Sequence, residues 1–169
     1  MEIRRLRAEE GMRLRSLRLR ALLDAPDAFA TAHADAAARP DSSWHEWAAS
    51  AASGAGRCTF VAISSDGWQG MLSAVADRTA GTAELIQMWV APAVRGTGVG
   101  KRLIDAVCNW GADAGLTSLQ LWVSEGNTPA IALYVRTGFA IAGERRDSSS
   151  QHGVTVQMSK ALPANGDTA

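Results

Sequence analysis

Three glycines at alternating positions, in Arg95-Gly96-Thr97-Gly98-Val99-Gly100, follow an apolar run and lead into a segment with helical spacing. A turn of this kind leaves several backbone N–H groups unpaired and aims the positive end of a helix at one spot, which suits phosphate. Spacing narrows the ligand. A dinucleotide loop has the pattern GxGxxG in a parallel βαβ unit near the chain start, whereas position 101 is lysine and the preceding segments read as hairpins. A Walker loop needs GxxxxGK and then Ser or Thr, but Gly100-Lys101 is followed by Arg102, and position 95 is arginine. Both common nucleotide patterns fail. Taken alone, the loop fits a structural turn as well as a binding site.

Tyr134 is the single tyrosine. A phenol with an ordinary pKa near 10 is protonated at neutral pH and can donate to a leaving group, although a helix-face aromatic packed on a sheet uses the same residue type. Cys58 and Cys108 form no CxxC, and the histidines are His33, His45 and His152 alone. That pattern favours neither a zinc site, a disulfide framework nor a Cys/His nucleophile, and both cysteines read as reduced, buried thiols.

These residues need a scaffold. Glu2 to Leu6 reads as a strand, and Ala8 to Leu23 as an amphipathic helix with Leu14, Leu17 and Ala21 inward and Arg13, Arg15, Arg18 and Arg20 on a solvated face. Asp41-Ser42-Ser43 offers an N-cap for a short helix through Trp44 and Trp47 to Ala52. Arg57–Ser64 and Trp68–Ala76 flank the hairpin signal Asp66-Gly67, and Glu84–Val90 is a further strand ending at Ala91-Pro92. The helix after the glycine loop repeats Val99, Leu103, Val107, Trp110 and Ala114, with Gly115 as its stop. Ser118–Ser124 is a strand, Asn127 caps a helix with Pro129 in its first turn and Gly138 at its end, and 139–145 with 154–159 close the sheet.

The 169 residues are 47% apolar and 20% charged, with 17 basic against 17 acidic side chains. One domain over 1–162 follows, with a disordered tail over 163–169. Zero net charge removes the whole-domain signature of a nucleic-acid binder. No apolar run reaches a membrane span, and Met1 to Arg20 carries seven arginines without an apolar signal core, so a cytoplasmic location is expected.

Arg95 to Gly100 resembles the acyl-CoA loop of the GNAT superfamily of N-acetyltransferases, whose pattern is Arg or Gln, two residues, Gly, one residue, then Gly or Ala. Trp89-Val90-Ala91-Pro92 is similar to the family's strand end, and Asn127 to Phe139 matches its N-x-x-A-x-x-L-Y-x-x-x-G-F pattern. The order of elements resembles the family's layout over nearly the whole chain. The resemblance implies an α/β (α+β) fold: a mixed, mostly antiparallel sheet of about seven strands flanked by about four helices. It implies acetyl-CoA as cosubstrate, with backbone N–H groups of Arg95, Gly96, Thr97, Gly98, Val99, Gly100 and Lys101 holding the pyrophosphate. The Val90 backbone would pair with the pantetheine arm, Asn127 would touch it, and Tyr134 would protonate the departing thiolate. A homodimer is also consistent with the family.

For the base that deprotonates the amine, the resemblance points to Glu84, with Glu46 and Glu125 behind it. Where some members carry a Glu on the strand after the loop, this chain has Trp122, an aromatic wall. The stretch from Asp24 to Glu46 sets Asp24, Asp27, Asp35, Asp41 and Glu46 against Arg39 alone. With Trp44 and Trp47, its charge suggests an acceptor pocket for a cationic amine, Asp27 and Glu46 included; solvated helix faces over two core tryptophans explain the same pattern. The expected reaction is acetyl transfer to a primary amine of a small molecule or peptide. Two alternatives are a protein lysine or N-terminal acetyltransferase and a catalytically silent acyl-CoA-binding module.

Overall fold

The computed structural model describes residues 1–147 and 153–163. Seven strands and five α-helices run in the order β1 (Glu2–Arg5), α1 (Gly11–Asp24), α2 (His33–Ala37), α3 (Asp41–Ala52), β2 (Arg57–Ser64), β3 (Gly67–Asp77), β4 (Thr82–Val90), α4 (Val99–Asp113), β5 (Ser118–Ser124), α5 (Thr128–Arg136), β6 (Ala140–Asp147) and β7 (Val154–Ala161). Among the described residues no helix is long and apolar enough to cross a membrane. Of the expected tail, 164–169 lies outside the described residues.

The sheet order is β1-β2-β3-β4-β5-β7-β6. Every neighbouring pair is antiparallel except β4 and β5. One face packs on α4, whose Val99, Leu103, Ile104, Val107 and Trp110 repeat at helical spacing and are buried with Leu72, Leu85, Leu119 and Leu121 of the sheet. Tyr134 of α5 and Phe139 join this core, their rings edge to face at 5.7 Å. The other face carries α1 and α3, with Leu14, Leu17, Trp44 and Ala48 against Val61, Met71 and Trp89.

Several expected boundaries shift for local reasons. Residues 8–10 form a 3-10 turn rather than the first turn of α1. There the Glu10 carboxylate accepts the Arg7 backbone N–H at 3.0 Å and two Arg4 guanidinium bonds at 2.6 and 2.8 Å, which fixes the chain before the helix begins. The α3 helix starts at Asp41, the first residue of the stretch expected to cap it; Pro40 is the N-cap and has no side-chain cap bond. The extra helix α2 lies in the acidic stretch, where five residues are too few to show a helical period. Cys58 is fully buried, which pushes its thiol up to about 12, but Cys108 is only half-buried.

The α1 helix also corrects the expected solvated arginine face. Its buried residues include Leu14, Leu17, Arg18, Ala21 and Leu22, so Arg18 lies within the inward stripe and is 6% exposed.

Candidate active site

The parallel partners β4 and β5 are joined only from Thr82 to Glu84, opposite Ser118 to Gln120. Beyond that point they separate, because β4 carries an extra residue: Met71 opposes Trp89 and Ser73 opposes Ile86, two steps along β3 against three along β4. Gln87 takes up the irregularity with φ 62°, a left-handed conformation that costs a non-glycine residue about 1–3 kcal/mol. A polar chain holds it in place. The Trp47 indole N–H donates to Thr59 Oγ1 at 3.2 Å, Thr59 and Ser73 hydroxyls lie 2.7 Å apart, and Ser73 Oγ donates to Gln87 Oε1 at 3.3 Å.

At the far end of β4, the Ala91 N–H donates to the Gln69 carbonyl at 2.8 Å. By the alternation of an antiparallel ladder, the Val90 N–H and C=O therefore face away from β3, into the opening. Arg95 Nε occupies the Val90 carbonyl at 2.9 Å, leaving the N–H toward the opening. The same arginine pairs through Nη2 with Asp24, whose carboxylate also accepts the Trp89 indole N–H at 2.9 Å. These two bonds, the Trp89 one foremost, hold the Asp24 carboxyl below its ordinary range. The Arg95 side chain thus ties the end of β4 to the end of α1.

The glycine loop rises from this anchor. Gly96 and Gly98 have φ of 78° and 87°, and a Cβ at either would meet nothing within 4 Å. The Arg95 N–H is already bonded to the Pro92 carbonyl at 3.2 Å, which removes it from the expected set. From Gly96 to Lys101, among the described residues, no N–H donates to another backbone group outside the helix, and the first bond beyond is Arg102 N–H to the Gly98 carbonyl. Open space, unpaired N–H groups and the start of α4 fit a pyrophosphate. The Thr97 hydroxyl is turned to the Val94 carbonyl, and the Lys101 ammonium pairs with Asp105, so both side chains already have partners within the protein. Gly100 serves packing: a Cβ there would lie 2.9 Å from Leu133 Cδ2.

Between β4 and β5 a cavity of about 450 Å³ reaches from the α5 side of the sheet to the α1 and α3 side. Glu84, Trp122, Asn127 and Tyr134 all line it, as do Trp44, Trp47 and Gln87. Burial alone pushes the Tyr134 phenol far up, so it stays protonated at neutral pH. The Asn127 side chain caps α5, accepting from the Ala130 N–H at 3.3 Å. Trp122 is backed by the Arg146 guanidinium 3.9 Å from its ring centre.

The acidic pocket is overturned. Asp27 and Glu46 are exposed and neither lines the cavity, because the α3 residues that face inward are Trp44, Trp47, Ala48 and Ala51. Glu125 is likewise outside it, paired with Arg145 at 2.7 Å. Among the described residues, the charged ones lining the cavity are Arg18, Arg39 and Glu84. Phe29 and Gln87 had not been singled out from the sequence, and Arg18 was expected on a solvated face, although the spacing Leu14, Leu17, Arg18, Ala21 was a usable signal of its burial.

The split between two parallel strands thus has a strand that runs into an N–H-rich loop on one side and a tyrosine lining its cavity. The chain belongs to the acetyltransferase (GNAT) family, whose description matches residues 19–139. Streptothricin acetyltransferase of Streptomyces lavendulae is 34% identical over 105 residues, 62% of this chain and 54% of that protein, so the match spans about half of that relative. A GNAT-family acetyltransferase from Streptococcus pneumoniae has the same fold, with TM-score 0.84 at 20% identity over 96% of this chain and 99% of that one. A structure from Salmonella typhimurium, solved with its cofactor acetyl-CoA, has TM-score 0.79 at 18% identity over 100% and 99%.

Proposed function

We propose that this chain transfers the acetyl group of acetyl-CoA to a primary amine of a small molecule or peptide by direct attack. The observation that carries this reading is that Glu84 and Tyr134 line one cavity, at a break in the sheet where β4 goes on to lead into the glycine loop. Acetyl-CoA supplies the activated acyl group. The N–H groups from Gly96 to Lys101 bind the pyrophosphate, each such charge-assisted bond contributing about 1.5–3 kcal/mol. The Val90 N–H, turned into the opening, is placed to bond the pantetheine arm or polarise the thioester carbonyl.

Glu84 takes a proton from the substrate ammonium, directly or through water, so that a neutral amine attacks. As the C–N bond forms and the C–S bond breaks, Tyr134 passes its phenolic proton to the departing sulfur, and the proton that the acylated nitrogen loses restores the phenol. Burial keeps this phenol protonated before the transfer. The likeness to a streptothricin acetyltransferase favours a small acceptor over a protein surface. Calorimetric titration with acetyl-CoA, followed by a thiol-release assay with amines, tests the reading. Micromolar binding and amine-dependent thiol release are expected; absence of binding overturns it.

A further inference from the structure

The cavity carries a cation that acetyl transfer does not use. Arg18 lines it at 6% exposure, with its guanidinium 4.2 Å from the centre of the Phe29 ring. The Arg18 Nη1 has no hydrogen-bond partner, and Arg18 belongs to none of the ion pairs among the described residues. A second buried donor beside the same cavity, the Trp44 indole N–H, is also unpartnered, and Trp44 is 4% exposed. Arg39 lines the cavity too and adds a second positive charge near Arg18. Burial brings Arg18 down to about 10, which leaves it cationic at neutral pH.

A buried donor without a partner is costly, more so when charged, and the cost is removed by a ligand oxygen that reaches it. Two orphaned donors with excess positive charge call for an anionic group that accepts hydrogen bonds. Beside polar Thr31, Gln87, Ser124 and Asn127 and the carboxylate Glu84, the large side chains of the other walls, Phe29, Trp47, Ile86, Met88 and Trp122, suit an apolar body. We propose that the acceptor is a primary amine bearing a carboxylate and an apolar body, the chemistry of an apolar amino acid, with the carboxylate held by Arg18 and the Trp44 indole N–H. The amine is then left for the opening between β4 and β5. This rests on the acetyl-transfer reading above, and it reverses the cationic-pocket expectation, because Asp27 and Glu46 face solvent and Asp24 is held by Trp89 and Arg95.

The test compares leucine, methionine, phenylalanine and tryptophan with their amides and their decarboxylated amines in the thiol-release assay, beside calorimetry with acetyl-CoA. Expected is a kcat/KM at least about 10-fold higher for one or more amino acids than for the matched amide and amine, equivalent to about 1.4 kcal/mol. In Arg18→Met that preference falls to near unity, while the variant still titrates with acetyl-CoA. If acetyl-CoA binds but amides or plain amines match every amino acid, or no amino acid is acetylated, the carboxylate assignment is overturned and acetyl transfer to another amine stands. If acetyl-CoA does not bind, the acetyl-transfer reading falls, and this one with it. The wild-type panel decides the matter even if Arg18→Met does not fold.

Discussion

Replacing Asp24 tests how the loop is anchored. Its carboxylate accepts one bond from Trp89, which is 5% exposed, and one from Arg95, whose side chain is half exposed. The Trp89 bond to a charged acceptor is worth about 1.5–3 kcal/mol, and its loss strands a buried donor. The Arg95 pair, open to solvent on one side, adds about 0–1 kcal/mol. Asp24→Ala should therefore lose about 2–3 kcal/mol, and Asp24→Asn, which retains an acceptor for the indole, about 1 kcal/mol. For a chain of this size those losses lower the melting temperature by roughly 5–10 °C and 2–4 °C. The carboxyl lies below its ordinary 3.8 in the folded protein, so its stabilisation is complete above that value and fades as the pH falls below it. Thermal melts of the three proteins at neutral pH and at descending acid pH are the assay. Equal melting of Ala and Asn variants, or a wild-type advantage that persists in strong acid, would refute the reasoning.

Tyr134→Phe should lower kcat by about 10²-fold or more while leaving the acetyl-CoA Kd nearly unchanged, and a wild-type kcat would remove its proposed role. Gly98→Val should weaken acetyl-CoA binding by about 10-fold or more by calorimetry, since φ of 87° strains any L side chain and the new Cβ projects into the open space over the loop. Glu10→Gln should cost about 3 kcal/mol in chemical denaturation, because it leaves the Arg4 guanidinium without its charged, bidentate partner. Arg4 holds the Glu10 carboxyl below its ordinary 4.5, so the wild-type advantage should be full above that pH and shrink below it.

The sequence was most legible where function is local. The glycine loop and the Asn127-to-Phe139 segment depend on contiguous residues, and Gly96, Gly98 and Gly138 all take the positive φ their turns require. Hairpin boundaries followed from Asp66-Gly67, where Gly67 has φ of 101°. The bulge at Gln87 was invisible, because glutamine has no preference for a left-handed backbone and only β3 and the Ser73 bond impose it. Acceptor-side charge was misread because a count of carboxylates between residues 24 and 46 ignores direction. Asp24 points to Trp89 and Arg95, whereas Asp27 and Glu46 face solvent. Arg18 was misread because its charge outweighed its place in the apolar stripe of α1.

The strand order carries a consequence for how the chain is made. Strands β1 to β4 include three sequential antiparallel pairs, so β2, β3 and β4 can zip together as they emerge, with β1 added across the helices that follow it. The other half cannot proceed that way. β7 lies between β5 and β6 and supplies the antiparallel neighbour of both. Until residues 154–161 have left the ribosome, β6 has no partner and β5 has only its short contact with β4. The wall of the cavity that carries Trp122 is thus completed late in synthesis, after the glycine loop and its helix already exist.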